Sequence, residues 1–441
     1  MKPRNLLIAA ILLTALSGAV WWSKRHPEAA QSASNTPLSS PKLIDIPEGQ
    51  IQSIDLKKKD GSVVAVERKG DKWALTQPQP YPTDQDAVNS LASSLSPVSA
   101  DNVVEDKAAD LGKYGLTTPS FSVAVHQKNG KTSNIIFGDD VPAASLVYVR
   151  VGTGPKVYAV SSSVKTSLDK SVNDLRDKRL LTFNSNNLSR IELASGKSDI
   201  EFGKNNANDW QIIKPQPYRA DSFQVEELLR KLTDAKMDLS ASADDAKKAD
   251  AAFASGKPVA SAKVTDAAGT QTLEVRKSKD DYYARSSSVK GAYKVSSDLG
   301  KELEKTLDDF RNKKIFDFGF SDPTKIETGG SLGDKTYVRS GTDWKSNGQV
   351  MDPGSVQAFI DKLRDASATK FAATGFTSPV MTVAVTSNDG KRFEKVEFAK
   401  VADGYLARRG NEPALYQLDS KAVNDILEAG KAIKPAASGK K

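Results

Sequence analysis

The chain has 441 residues, with 63 Lys and Arg against 55 Asp and Glu and a formal charge of +8. Cysteine is absent and histidine occurs only at His26 and His126, which excludes disulfides, thiol catalysis, cysteine zinc sites and any site built from several histidines. Length predicts about three domains of ~150 residues, and 38% hydrophobic with 27% charged residues is an ordinary globular balance.

Lys2 and Arg4 precede an uncharged run from Leu6 to Trp22. At 17 residues it sits at the short end of what a membrane-spanning helix needs. As a cleaved signal peptide, Ser17 and Ala19 would be the small residues before a cut at Val20. As an anchor, Trp21 and Trp22 would lie at the far interface with Lys24 and Arg25 in water. The tryptophan pair favours the anchor, so residues 1–28 are read as a signal anchor that holds the membrane through residues 6–22. No second apolar run follows, which predicts a single-pass bacterial inner-membrane protein with its C-terminal domains in the periplasm. Signal cleavage would make it soluble and periplasmic instead. The lack of cysteine excludes a lipoprotein. Residues 29–45, beginning AAQSASNTPLSSP, read as a flexible linker.

Tryptophan sets the register of an internal repeat. Trp73, Trp210 and Trp344 are 137 and 134 residues apart. The first two lead into Pro78-Gln79-Pro80-Tyr81 and Pro215-Gln216-Pro217-Tyr218. Asp84, Asp221 and Asp352 each open a helical pattern as N-caps, with apolar positions at Val88, Leu91, Leu95, then Val225, Leu228, Leu232, then Val356, Phe359, Leu363. Pro119, Pro258 and Pro379 each lead an alternating strand. A second strand, a Tyr/Arg strand and a short strand centred on Tyr158, Tyr293 or Tyr416 follow. A closing helix ends the first two copies, and a shorter helix is expected in the third.

The fold class predicted is α+β: three tandem copies of a mixed unit with mainly antiparallel sheet, one Asp-capped helix and a terminal helix, behind the N-terminal anchor. The boundaries are residues 46–185, 186–320 and 321–433, with a basic tail at 434–441. The order of Trp, Pro and Tyr, Asp-capped helix, then Gly115, Leu116 and Pro119, then Tyr-x-Arg resembles the bacterial domain of unknown function 4340 family. The second copy departs from this pattern at Ala254-Ser255-Gly256-Lys257-Pro258, and the third lacks the Pro-x-Pro-Tyr segment. The resemblance implies an envelope protein working beside a gliding-motility-type ABC transporter. It names no catalytic residue.

Side chains suited to catalysis are sparse. His126 lies on the polar side of its strand, where the other copies carry Thr265 and Thr386. The acidic pairs Asp139-Asp140, Asp244-Asp245, Asp280-Asp281 and Asp308-Asp309 are adjacent in sequence, whereas a glycosidase needs two carboxyls facing each other across a cleft. Gly152-x-Gly154-Pro155 reads as a hairpin turn. The repeated tryptophans read as core. The Tyr/Arg strands supply the candidate interaction surface, Tyr148 with Arg150, Tyr283 with Arg285 and Tyr405 with Arg408, because Arg beside Tyr is a hot-spot composition.

No catalytic residue, cofactor or metal is expected. The function expected is non-enzymatic binding or scaffolding in the periplasm, as an accessory of an ABC-type transport system. The alternatives are an envelope glycan hydrolase using an inter-domain Asp/Glu pair, or a passive glycan- or peptide-binding module. Residues 1–28 carry +3, the residues after Ala429 carry +4, and the repeats carry +1. The basic excess therefore suits anionic lipid at the two ends and argues against nucleic acid as a partner.

Overall fold

The computed structural model describes residues 40–196, 198–239, 243–320, 322–410 and 412–437. The expected anchor at residues 6–22 and most of the linker lie outside the described residues. Among the described residues, no helix is long and apolar enough to cross a membrane. The chain divides into two compact units between Asp177 and Lys178. The first holds one copy of the repeat and the second holds two.

Each copy is built around one large sheet, and every strand pair among the described residues is antiparallel. In the first copy a meander of Ile51–Lys58, Val63–Lys69 and Lys72–Gln77 precedes the capped helix Gln85–Leu95. A second meander follows: Phe121–Gln127, Thr132–Asp140, Leu146–Val151 and Val157–Ser161. The two meanders join where the first strand of each copy pairs with the strand after the proline. Ile54 lies opposite Val125, Ile191 opposite Val264 and Ile326 opposite Val385. All six side chains are fully buried.

Period-2 alternation turns one face of each sheet toward a core, and the helices cover that face. Asp84, Asp221 and Asp352 accept from the backbone N–H of Ala87, Gln224 and Ser355 at 3.1, 3.2 and 2.8 Å. Each helix then buries the predicted stripe, Val88, Leu91 and Leu95 in the first copy and its counterparts in the others. Burying each such side chain contributes about 1.5–3 kcal/mol. Trp73, Trp210 and Trp344 are buried in the three separate cores. The Trp73 indole also donates to Asn89 Oδ1 at 2.9 Å.

Three details differ from the sequence reading. Leu43 and Ile44 at the end of the expected linker are buried together with Ile46, because Lys42–Asp45 pairs with Pro97–Ser99 after the capped helix and the Ile46 N–H donates to the Ser96 carbonyl. Leu180 and Ile315 enter their copies in the same way, hydrogen-bonded to the carbonyls of Ala235 and Ala366. Each copy therefore begins a few residues before the predicted boundaries at 46, 186 and 321. Secondly, the closing helix is broken in the first two copies, into Ser162–Leu168 with Val172–Leu175 and Ser297–Leu303 with Leu307–Phe310. Ser171 with Asp174, and Thr306 with Asp309, form capping boxes that start the second piece. The third copy has no such box there, and its closing helix is the longer unbroken one, Ser420–Lys431. Thirdly, Tyr405 sits on the core face, 7% exposed, while Arg408 is on the opposite face. Leu406, not Tyr405, occupies the place of Tyr148 and Tyr283.

Candidate binding junction between the second and third copies

The second and third copies are joined through residues 312–318. Asn312 donates its N–H to the Arg219 carbonyl of the second copy at 2.9 Å, and Ile315 donates to Ala366 of the third at 3.0 Å. Ile315, Phe316 and Phe318 are buried in the third core. This short link brings Arg219 against the end of the third sheet.

Arg219 meets four oxygens there, one through an ion pair and three through hydrogen bonds. Its Nε lies 2.7 Å from Glu412 Oε1 and its Nη1 3.2 Å from Asp317 Oδ2. Its Nη2 donates to the Lys314 carbonyl at 2.5 Å and to the Tyr416 hydroxyl at 3.1 Å. Glu412 is shared: Arg409 Nε reaches it at 2.7 Å, and the Tyr416 hydroxyl donates to its other oxygen. Arg409 also holds Glu394 at 2.8 Å, and Glu394 accepts from the Asp317 N–H at 2.9 Å. Beside this clasp, the Arg311 guanidinium is sandwiched 4.1 Å from the Tyr218 ring and 3.5 Å from the Phe371 ring. Such desolvated cation–π contacts contribute about 2 kcal/mol.

Burial by itself would raise the Glu412 carboxyl, but the Arg219 and Arg409 charges overcome it and hold the group below its ordinary range. The Tyr416 hydroxyl moves the other way. Burial first, with Glu412 adding to it, pushes it up to about 12. At neutral pH Glu412 is thus a carboxylate and Tyr416 a neutral phenol, beside the guanidiniums of Arg219 and Arg409.

Above the clasp opens a 470 Å³ cleft lined by Arg219, Lys314, Asp317 and Arg392, with Asp221 and Phe223 from the start of the capped helix. Phe223 is 73% exposed, although it sits in the first turn of an otherwise ordinary amphipathic helix. Arg392 Nη1 donates to the Asp317 carbonyl at 2.5 Å, and its Nη2 lies 3.9 Å from Asp317 Oδ2 at the cleft wall. Mixed charge beside an exposed aromatic ring suits a polar polypeptide segment.

Each Tyr/Arg strand lies on its own sheet. Each is partly covered by the segment that follows its own capped helix. Tyr148 meets Tyr114 edge-on at 4.9 Å, with Arg150 half-buried on the same face. Arg285 lies 4.5 Å over Phe253 and reaches Asp250 at 3.2 Å, with Tyr283 half-buried beside it. Arg408 lies 4.4 Å over Phe376 and pairs with Glu397 at 2.6 Å. Gly115 of the Gly-Leu-x-x-Pro segment has φ +66°, and a Cβ there would fall 2.4 Å from the Asp139 side chain. That explains the glycine as a packing requirement. His126 lies on the exposed sheet face, bonded to Thr132 Oγ1 at 2.9 Å and Asp55 Oδ2 at 3.2 Å.

Arg219, Glu394, Arg409 and Glu412 were not singled out from sequence. Arg219 and Tyr416 are 197 positions apart. The available signal was that Arg219 replaces Pro82 of the first copy in an otherwise matching segment.

The family model described as Domain of unknown function (DUF4340) matches residues 73–209 and 210–379, together well over half of the chain. The chain belongs to this family. Its two matches begin at Trp73 and Trp210, the first two of the repeated tryptophans. No curated protein and no solved structure matches the chain.

Proposed function

We propose that this chain is a non-enzymatic binding and scaffolding protein of the cell envelope. Residues 6–22 hold it in the inner membrane, and the repeats present binding surfaces in the periplasm to an ABC-type transport system. The observation that carries this reading is the clasp around Arg219. It fastens two copies of the repeat into one body and leaves beside it a cleft of mixed charge with Phe223 exposed.

The same geometry weighs against the glycan hydrolase alternative. Glu394 and Glu412 are carboxylates close to the junction between copies, and both sit on the one Arg409 guanidinium. A glycosidase needs one of its two carboxyls free to donate a proton to the leaving group, whereas here the Arg409 guanidinium engages both.

The full chain, crosslinked mildly in cells and purified from membranes, is expected to retain a transport-system membrane protein. Phe223→Ser with Arg392→Ser is expected to reduce that recovery with only a small loss of stability, since neither side chain belongs to a core and the bonds of Arg392 to Asp317 are exposed. Recovery of no envelope partner, or recovery unchanged in the double variant, would count against this reading.

A further inference from the structure

The second copy departs from the repeat pattern at Ala254-Ser255-Gly256-Lys257-Pro258, and the departure builds something the sequence did not announce. The helix Ala243–Ser255 stands where the other copies carry a 3-10 turn or a loop. Gly256 lets the chain leave that helix for the strand Lys257–Asp266, because a Cβ there would meet the Ala252 carbonyl at 2.9 Å. Ser255, Lys257, Pro258 and Val259 then line an 810 Å³ cavity at the end of the sheet.

Three lysines share that cavity: Lys257, Lys277 and Lys279. Lys257 and Lys277 are directly opposite each other on neighbouring antiparallel strands. Like charges in that position destabilise a sheet. Lys279 adds a third positive charge two residues further on. The acid in the lining is Glu304, which already accepts from the Tyr282 hydroxyl at 3.0 Å. Serine hydroxyls complete the wall, from Ser195, Ser198, Ser255 and Ser278. Lys277 lies 5.0 Å over the Tyr282 ring and is held by Tyr282, with Glu304 and Asp280 adding to it. Three lysines against one acid in the lining still match the oxygens of a phosphate-bearing ligand, which supplies negative charge and acceptors.

We infer that this cavity of the second copy is a binding site for a phosphorylated ligand, with Lys257, Lys277 and Lys279 as its charge contacts. The same chemistry is offered by a soluble phosphorylated compound and by a phospholipid headgroup, and the two sources separate by experiment. The full chain is titrated calorimetrically with pyrophosphate and cosedimented with phosphatidylcholine vesicles containing phosphatidylglycerol. Saturable binding is expected in at least one arm: pyrophosphate alone marks a soluble ligand, vesicles alone a headgroup. Lys257→Ser, Lys277→Ser and Lys279→Ser combined should weaken binding about tenfold or more. The same triple variant should melt close to the parent without ligand, because the like-charge contact it relieves offsets the Tyr282 contact of Lys277 that it loses. Lys345→Ser, on the third sheet, should bind as the parent does. Absence of binding in both arms, or a triple variant that binds like the parent, would overturn the inference.

Discussion

Replacing Arg219 by methionine tests the clasp directly, because methionine keeps the apolar stem and removes only the guanidinium. The Arg219 side chain is 18% exposed and that of Glu412 is 13% exposed. Breaking a buried ion pair by removing one partner costs about 3–5 kcal/mol. Two features lower that figure here. Glu412 keeps the Arg409 contact at 2.7 Å, and Asp317, at 35% exposure, regains water. The expected loss is therefore about 2–3 kcal/mol. It falls on the contact between the second and third copies and leaves both cores intact. Urea denaturation followed by tryptophan fluorescence reads this out, since Trp210 and Trp344 lie in different cores. The parent is expected to unfold these copies in one transition and Arg219→Met in two. A double-mutant cycle with Glu412→Gln should give a coupling of about 1–2 kcal/mol. A loss below about 0.5 kcal/mol with one unchanged transition would refute the reasoning, and Arg219 would then be a surface ion pair of no consequence.

Three further outcomes are expected. Tyr416 titrates at about 12 in the fold against an ordinary 10.0, so the native state holds its proton more tightly. Its contribution is complete below pH 10 and disappears as pH rises from 10 to 12, about 3 kcal/mol at most. Stability measured across that range should fall less in Tyr416→Phe than in the parent. Alanine at Asp84, Asp221 or Asp352 removes an N-cap and should cost about 1 kcal/mol each in thermal or urea unfolding. Gly300→Ala should destabilise despite the better helix propensity of alanine, because its Cβ would lie 2.2 Å from the Tyr282 ring. Overpacking of this kind costs about 1–3 kcal/mol, and a variant more stable than the parent would contradict it.

The repeat made much of the fold legible. Val88, Leu91 and Leu95 recur three times at one spacing after a capping aspartate, and agreement among copies separates the core stripe from chance. The same holds for the strands after Pro119, Pro258 and Pro379. The broken closing helix was less visible, because a capping box inside a helical pattern looks like two ordinary polar residues until Ser171 and Asp174 are seen bonded to each other. Tyr405 was misplaced by one residue, and in a strand a shift of one moves a side chain to the other face. The buried entry segments at Leu43 and Leu180 were hidden by their shortness and by the polar residues around them.

What averaging over copies conceals is whatever one copy does alone. Arg219 stands where the first copy has Pro82 and the third has Val350, and its partners come from another copy. Lys257 and Lys277 lie in the one copy whose proline segment departs from the pattern. A repeat holds its shared residues because each copy must fold, so packing accounts for Trp73, Asp84, Gly115 and their counterparts. The residues that break the pattern are free of that duty, and here they are buried guanidiniums and opposed lysines, both unfavourable unless something compensates them. For Arg219 the compensation is the neighbouring copy. For the lysine cavity the lining supplies one acid, Glu304, against three lysines, and the proposed ligand supplies the rest.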